Sequence, residues 1–423
     1  MKKTIVILCT LDTKWKEIGF LKDVILKRGH QVILLDLSLG KEPPISGDIT
    51  SAEVAAAGGS DIETVRKLAP KARSEATKIM TKGAIAKAKE MLKTGKLQGV
   101  ISIGGTSNTT LATNVMKSLP FGVPKYMVSS SASVPALAAN FIGTSDITMM
   151  HSVVDISGLN DLVRDILTRA GGSISGMVEE TSGIILREGV KKRKKPLIAI
   201  TEFNFSDMAG KLALQYLEEK GYDVIPFHAQ GMGDRAMEEL IEQRLFDGVL
   251  DLVPAGVSEQ LLGGNRAAGP TRLEAAGKIG IPQVVSPCGF EMISCGPLSR
   301  RDHGDPLWVS RNLTARKLFL QDDFRVQART TKTELREIAA VIAQKLNKAK
   351  GPVKFLIPLR GWSSLSIKGG PLYEPQTDKV FNEEIKKHLR PDIKVEELDV
   401  ELNSVEFVQA SVNALIDMME KAG

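Results

Sequence analysis

A glycine turn with hydroxyl side chains at residues 104–110 is the segment of this chain best suited to bind an anion. The apolar run 99–103 predicts a buried strand, and Gly104 and Gly105 follow it before a helical pattern begins. Glycine lets a backbone approach a ligand closely, and free N–H groups at the start of a helix point at that ligand. Thr106, Asn108 and Thr109 can donate to phosphate or carboxylate oxygens. The spacing matches neither standard phosphate-binding glycine motif, and an ordinary glycine turn is the alternative.

Two more polar turns follow predicted strands. The turn at 10–14 comes after the apolar run 4–8, and the serine-rich turn at 129–133 follows the run 125–128. Carboxyl ends of parallel strands converge on one edge of a sheet, so we expect the three polar turns to line one crevice. The residues predicted to contact a ligand there, besides those of the glycine turn, are Thr10, Asp12, Thr13, Lys14 and Ser129.

Acidic side chains at the strand ends favour a nucleotide with a metal ion. A carboxylate beside phosphates is typical of Mg²⁺, which takes one or two carboxylates together with phosphate oxygens and water, so Asp12 is the predicted metal ligand. Asp36 closes the second predicted strand, where doubly wound folds often place an acid on a ribose hydroxyl. Lys14 can neutralise a phosphate charge. Helix capping by Asp12 or Thr13, and a solvated Asp36, are the alternative interpretations.

The elements that position these residues alternate between strand and helix along the whole chain. This alternation predicts an α/β protein with two Rossmann-like, doubly wound domains whose mostly parallel sheets face a central cleft. We expect the first domain at residues 1–190 and the second at 196–423, with the basic run 191–195 as a solvated linker. The polar segment 41–71 predicts an excursion with short helices, and the periodicity at 82–94 predicts a longer helix.

Composition limits the class of protein. At 423 residues the chain is long enough for two or three domains. Aromatic residues make up 5%, and no aromatics interrupt the basic run, which makes a nucleic-acid partner unlikely. No segment approaches the roughly 20 apolar residues that cross a bilayer, so no membrane association is expected. The chain has three cysteines, an odd number, without the C-x-x-C spacing or the density of a disulfide-rich protein. This favours a reducing, cytoplasmic location.

The second half places further chemistry-bearing residues on predicted strand-end loops or beside glycine turns. The candidates are His228, Arg235, Cys288 and Arg360. A nucleophilic Cys–His pair would need Cys288 and His228 within hydrogen-bond reach, and a small buried cysteine is the alternative. An arginine beside a glycine turn can meet an anion or lie free on the surface.

At these loops the sequence resembles the ATP-binding family named after the N-terminal region of the tomato mosaic virus resistance protein. The matching segments extend over nearly the whole chain and include 10–14, 104–106, 143–147, 227–229 and 358–361. The resemblance implies two Rossmann-like subdomains, ATP and Mg²⁺ bound by the first, and a homodimer. In that family the plant member binds and inhibits a viral replication protein.

The leading hypothesis is therefore an ATP-binding, Mg²⁺-dependent protein in which the first domain holds the nucleotide. The second domain would hold an unknown small anionic ligand through His228, Arg235 and Arg360, with ATP-dependent transfer as the simplest reaction. One alternative is a non-catalytic, ATP-gated binding or interaction module. Another is a hydrolase or lyase that acts on a small anionic metabolite in the second domain.

Overall fold

Two separate parallel sheets form the framework of the chain. The computed structural model describes residues 2–180 and 193–422. The chain divides into two compact units, Met1–Glu188 and Gly189–Gly423. The predicted end of the first domain at residue 190 lies outside the described residues, as do Lys191 and Lys192 of the basic run.

The first unit contains a five-stranded sheet. Its strands are β1 (Thr4–Cys9), β2 (Gln31–Asp36), β3 (Gly99–Gly104), β4 (Lys125–Ser129) and β5 (Ile147–His151). The order across the sheet is β2-β1-β3-β4-β5, and every pair is parallel. β1 and β3 are apolar and buried on both faces, as expected when helices cover both sides of a sheet. The strand order reverses between β1 and β3, which places a topological switch point at their carboxyl ends.

Seven described helices surround this sheet: α1 (Leu11–Lys27), α2 (Ser51–Gly58), α3 (Ile62–Leu68), α4 (Arg73–Lys93), α5 (Thr106–Lys117), α6 (Pro135–Ile142) and α7 (Asp161–Glu180). One core lies between the sheet and α2, α4 and α5, and the other lies between the sheet and α1 and α7. α2 and α4 pack closely at Gly83, because glycine has no side chain. A Cβ at this position would lie 1.8 Å from the Val54 carbonyl oxygen. α4 begins at Arg73, well before the predicted start at residue 82.

The second unit contains nine described strands: β6 (Leu197–Glu202), β7 (Asp223–His228), β8 (Gly248–Asp251), β9 (Gln283–Val285), β10 (Met292–Ser294), β11 (Leu318–Leu320), β12 (Val326–Arg329), β13 (Val353–Pro358) and β14 (Lys394–Leu398). Six of them form a parallel sheet in the order β14-β13-β9-β8-β6-β7. The other three form an antiparallel sheet in the order β10-β12-β11.

The described helices of the second unit are α8 (Asp207–Glu219), α9 (Met232–Glu242), α10 (Gly256–Leu262), α11 (Ala275–Ile279), α12 (Ser299–Asp302), α13 (Pro306–Ser310), α14 (Lys332–Leu346), α15 (Pro375–His388) and α16 (Val405–Ala422). The prediction of an α/β protein with two doubly wound, mostly parallel sheets is confirmed. Within residues 2–180 and 193–422, no helix combines the length and the apolar character needed to cross a membrane.

Candidate functional site

A cavity of about 760 Å³ opens at the switch point of the first sheet. One wall is the turn after β1, and the opposite wall is the glycine turn between β3 and α5. Residues 37–40 after β2 and the segment from Arg66 to Arg73 close the remaining sides. Its volume lies in the range of pockets that bind cofactors and small molecules, roughly 300–1,000 Å³. A cavity therefore lies at the edge of the first sheet where the crevice was expected, lined by two of the three predicted polar turns.

Gly105 leaves the backbone open at the start of α5. It is the N-cap residue, with φ −86° and ψ −170°, and no side chain caps this helix end. The nearest heavy atom to a Cβ built at Gly105 is Ser130 Oγ, at 3.6 Å. The first N–H groups of a helix have no partner within the helix, and they carry its positive dipole end. Gly104 differs, because a Cβ there would lie 2.9 Å from Cβ of Asn108.

Asn108 presents an unused acceptor in the wall of this cavity. Its side chain is 9% exposed, and Nδ2 donates to the Ile103 carbonyl oxygen at 2.7 Å and to Ser102 Oγ at 3.1 Å. The Ile103 carbonyl can only accept, so this contact fixes which end of the amide faces the strand. Oδ1 is then buried without a partner. A buried unsatisfied acceptor costs about 1–3 kcal/mol, and a hydroxyl, a water or a cation from outside would satisfy it.

Positive charge exceeds negative charge in the cavity lining. Lys14, Arg66 and Arg73 line it, and Asp12 is the carboxylate among the described lining residues. Lys14 Nζ donates to the carbonyl oxygen of Ile156. Within the described part of the chain, no carboxylate lies within ion-pair distance of Lys14 or Arg73. A concave surface with uncompensated cations attracts anions.

Arg66 and Asp12 each keep part of their hydrogen-bonding capacity. Arg66 Nη1 pairs with Glu63 at 2.9 Å, while its Nε is buried without a partner. Asp12 Oδ2 accepts from the backbone N–H of Gly40 at 3.0 Å, which holds the carboxylate against the loop after β2. The described residues contain no cluster of three or more His, Cys, Asp and Glu side chains that could hold a metal ion. A cation at Asp12 would therefore need oxygens from a ligand or from water.

Asp36 contacts the turn at 10–14 through a hydrogen bond to its carboxylate. It is 1% exposed, and its Oδ1 accepts from the backbone N–H groups of Leu11 at 3.3 Å and Ser38 at 3.1 Å. Burial raises the pKa of this carboxyl. Asp36 is not in the lining of the switch-point cavity but lines a neighbouring cavity of about 410 Å³, which shares Arg66 with it. The predicted contact of Asp36 with a ribose stays a prediction.

Thr109 and Ser129 bond to each other instead of lining the cavity. Their hydroxyl oxygens are 2.7 Å apart, and Thr109 Oγ1 also donates to the Gly105 carbonyl oxygen at 2.9 Å. Ser131 Oγ lies 2.6 Å from Thr106 Oγ1. The serine-rich turn thus holds the glycine turn in place and does not reach the cavity. The predicted residues that do line the cavity are Thr10, Asp12, Thr13, Lys14, Gly104, Gly105, Thr106 and Asn108.

Two arginines of the cavity lining, Arg66 and Arg73, were not predicted from the sequence. Arg66 lies near the end of α3 and Arg73 at the start of α4. Arg66 lies in the predicted excursion 41–71 and Arg73 just after it, and neither was among the residues predicted to contact a ligand. The available signal for Arg73 was the spacing of Ala76, Met80 and Ala84, which extends the predicted helix upstream of residue 82.

In the second unit the predicted residues do not form one site. Arg235 is exposed and lines a cavity of about 390 Å³ whose lining includes neither His228, Cys288 nor Arg360. Arg360 is exposed and pairs with Asp399 at 2.9 and 2.7 Å. Cys288 is 0% exposed, and burial raises the pKa of its thiol well above its usual value. A buried neutral thiol does not favour nucleophilic chemistry.

The carboxyl end of β8 is occupied by an arginine of the chain itself. Arg272 is fully buried and contacts Asp251 at 2.6 Å, and Asp234 and Glu238 each at 3.1 Å. These carboxylates hold the pKa of the guanidinium well above its usual value. The charge of the Arg272 guanidinium is therefore compensated within the fold.

Two family matches cover most of the chain. Residues 3–183 match the N-terminal domain, and residues 195–419 the C-terminal domain, of the Uncharacterised protein family (UPF0261). The chain belongs to UPF0261. It is 39% identical over 422 residues to a UPF0261 protein of Clostridium tetani, with 100% of both chains covered. A UPF0261 protein of Brucella suis is 30% identical over 414 residues, which cover 96% of this chain and 94% of the relative.

The tomato proteins are also relatives of this UPF0261 chain. The ToMV susceptible protein tm-1(GCR26) of Solanum lycopersicum is 29% identical over 434 residues, which cover 98% of this chain and 55% of the tomato protein. The predicted resemblance is thereby confirmed as a relationship in sequence. Among solved structures, an NAD⁺-bound 3-phosphoglycerate dehydrogenase of Entamoeba histolytica aligns over 100% of this chain and 94% of its own, at 11% identity and a TM-score of 0.19. That score supports no inference about a ligand.

Proposed function

We propose that the first unit binds ATP with Mg²⁺ in the switch-point cavity. The observation that carries the proposal is the combination of an open glycine backbone at the start of α5 with the cations Lys14, Arg66 and Arg73 around one cavity. Phosphate groups bind where a helix begins and where cations are uncompensated, as Lys14 and Arg73 are among the described residues, while Arg66 also pairs with Glu63. The resemblance to the tomato family implies ATP binding, and it favours this nucleotide over other anions in the proposal.

The lining residues divide into three tasks. The backbone N–H groups of Gly105 and of the first turn of α5 would donate hydrogen bonds to phosphate oxygens. The hydroxyl groups of Thr10, Thr13 and Thr106 would make further contacts with the phosphates. Lys14 and the two arginines would neutralise phosphate charge. The nucleoside would extend toward the neighbouring cavity at Asp36, since Arg66 belongs to both linings.

Mg²⁺ fits this donor set only together with the nucleotide. Asp12 offers one carboxylate, and the unpartnered Oδ1 of Asn108 can accept from a water of the ion. Mg²⁺ commonly binds through one or two carboxylates, phosphate oxygens and retained waters. The metal would neutralise phosphate charge and would hold the phosphates at one end of the cavity.

A second candidate is an ATP-gated binding module that does not turn the nucleotide over. The described residues of the cavity lining include no histidine, and their one carboxylate is the proposed metal ligand. General-base catalysis would need another group within hydrogen-bond reach of a nucleophile.

A cytoplasmic homodimer is part of the proposal. The resemblance supports the homodimer, and the free, buried thiols of Cys9, Cys288 and Cys295 support the cytoplasmic location.

Calorimetric titration of the full chain tests the proposal. We expect saturable binding of ATP with Mg²⁺, weaker binding in EDTA, and AMP binding about tenfold or more weaker because AMP lacks the β- and γ-phosphates. Absence of heat at millimolar ATP and Mg²⁺ would overturn it. Measuring ADP release and sedimentation in parallel separates the two candidates, since ATP that stays intact but changes the oligomer favours the binding module.

A further inference from the structure

A second cavity of about 630 Å³ lies in the groove between α4 and α5. It adjoins the switch-point cavity, because Arg73, Thr106 and Ser107 line both. The remaining lining residues are Ser74, Thr77, Lys78, Thr81, Lys82, Ile85, Thr110 and Asn114. We call this space the α4–α5 groove.

The α4–α5 groove carries only positive charge among its described lining residues. Arg73, Lys78 and Lys82 line it, and Glu75 of the same helical turn does not. None of the three cations has a carboxylate within ion-pair distance in the described part of the chain. Lys78 and Lys82 are four residues apart on one helix, where like charges repel. Arg73 stands at the first position of α4, where the helix dipole disfavours a cation.

Helix stability therefore does not explain this charge, and an external anion would compensate it. The groove also offers a hydroxyl donor, since Thr81 Oγ1 is buried without a partner. Thr110 is already committed, because its Oγ1 donates to the Thr106 carbonyl oxygen at 2.9 Å. Ile85 and the aliphatic stems of the two lysines supply an apolar floor for a small organic body.

We propose that the α4–α5 groove binds a small molecule that carries a phosphate or carboxylate group. Its position as the site of a second ligand beside the nucleotide rests on the proposed function, whereas oxyanion binding itself does not. The sequence predicted the second ligand in the other unit, at His228, Arg235 and Arg360. The groove instead places it in the first unit, next to the cavity for the phosphates.

The test uses two oxyanion probes and a matched pair of variants. Inorganic phosphate and succinate are titrated calorimetrically at constant ionic strength into the full chain, with and without saturating Mg²⁺ and the non-hydrolysable analogue AMP-PNP. The variant Lys78→Gln/Lys82→Gln removes two groove charges. The control Lys89→Gln/Lys93→Gln removes two exposed charges from the same helix outside the groove.

We expect the groove variant to weaken binding of the better probe about tenfold, with the nucleotide analogue bound as in the wild type. The control variant should stay within about twofold, and the probe that binds more tightly identifies the ligand as a phosphate or a carboxylate. Equal probe affinity in the groove variant and the wild type would overturn the proposal.

Two further outcomes also overturn it. One is probe binding that disappears when AMP-PNP saturates the protein, which places the probe in the nucleotide cavity. The other is an equal loss of AMP-PNP affinity in the groove variant, which makes the groove part of the nucleotide site. If the wild type binds no nucleotide, the proposed function fails, while titration with the probe alone still decides whether the groove binds an oxyanion.

Discussion

Replacing Gly105 with alanine tests whether a ligand approaches the backbone at the start of α5. The structure accommodates the added methyl group, because φ at this position is −86° and the nearest atom lies at ordinary contact distance, 3.6 Å away. Glycine is a better N-cap than alanine, so we expect a loss of about 0.5–1 kcal/mol in the free energy of unfolding. The protein should therefore fold as the wild type does.

The effect on nucleotide binding should be larger. Under the proposed binding mode a phosphate oxygen reaches the N–H groups of the turn, and the added methyl group would crowd it. Each hydrogen bond to a charged group contributes about 1.5–3 kcal/mol, so losing one corresponds to an affinity loss of roughly 10- to 100-fold. Binding that is weakened without loss of fold distinguishes this effect from simple destabilisation.

The assay is calorimetric titration of Mg²⁺ and ATP into the wild type, Gly105→Ala and the control Gly19→Ala. Gly19 lies within α1, and a Cβ there would meet no heavy atom within 4 Å. The control therefore adds a methyl group to the same unit away from the cavity, and its affinity should match the wild type. Wild-type affinity in Gly105→Ala would refute close approach of the phosphates to this turn.

Three further predictions concern charged groups. Asp12→Asn should bind ATP about tenfold more weakly than the wild type in the presence of Mg²⁺. In EDTA it should bind ATP at least as tightly as the wild type, because the substitution removes a charge that repels phosphate. An unchanged Mg²⁺ dependence of ATP binding would contradict the role of Asp12. Arg272→Leu leaves Asp251 and the neighbouring carboxylates without a buried counter-charge. It should lower the free energy of unfolding of the second unit, measured in urea, by about 3–5 kcal/mol. A change under about 1 kcal/mol would exclude Arg272 as the counter-charge that stabilises this unit. Burial raises the pKa of Asp378 to about 7, above its unfolded value, so the native state binds the extra proton and stability should fall by roughly 2 kcal/mol from pH 5 to pH 7. Asp378→Asn should flatten that slope in urea unfolding followed at pH 5, 6 and 7, and an unaltered slope would assign the effect to other groups.

The sequence predicts the parallel sheets because their strands are buried on both faces. Runs such as 4–8 and 99–103 are mostly apolar, and each is followed by a helical period, which leaves few alternatives to a doubly wound fold. The antiparallel sheet of β10, β11 and β12 could not be predicted in the same way. Its strands have three or four residues, too few to show a period, and tertiary packing alone distinguishes them from loops.

The sequence predicts which turns form the candidate site, because the strand order determines where they lie. It does not predict the hydrogen-bond partners of the side chains in those turns. The turns after β1 and β3 had to meet at the switch point, and their residues line the cavity. Thr109 and Ser129 have the same donor groups as Thr106 but point at each other, and sequence does not reveal which face of α5 meets β4. Arg73 was missed because the start of α4 lacks a side-chain cap that would mark it.

The two sheets show why fold alone does not locate a ligand site. Each has strands that reverse order next to its first strand, and each therefore has a switch point. In the second unit the strand end at Asp251 is filled by the guanidinium of Arg272, whose charge is compensated within the fold. In the first unit Lys14 and Arg73 reach the equivalent edge without a carboxylate partner among the described residues, and a glycine keeps the helix end open. Uncompensated charge at an open strand edge, rather than the strand order that both sheets share, is what supports the proposal of anion binding in the first unit.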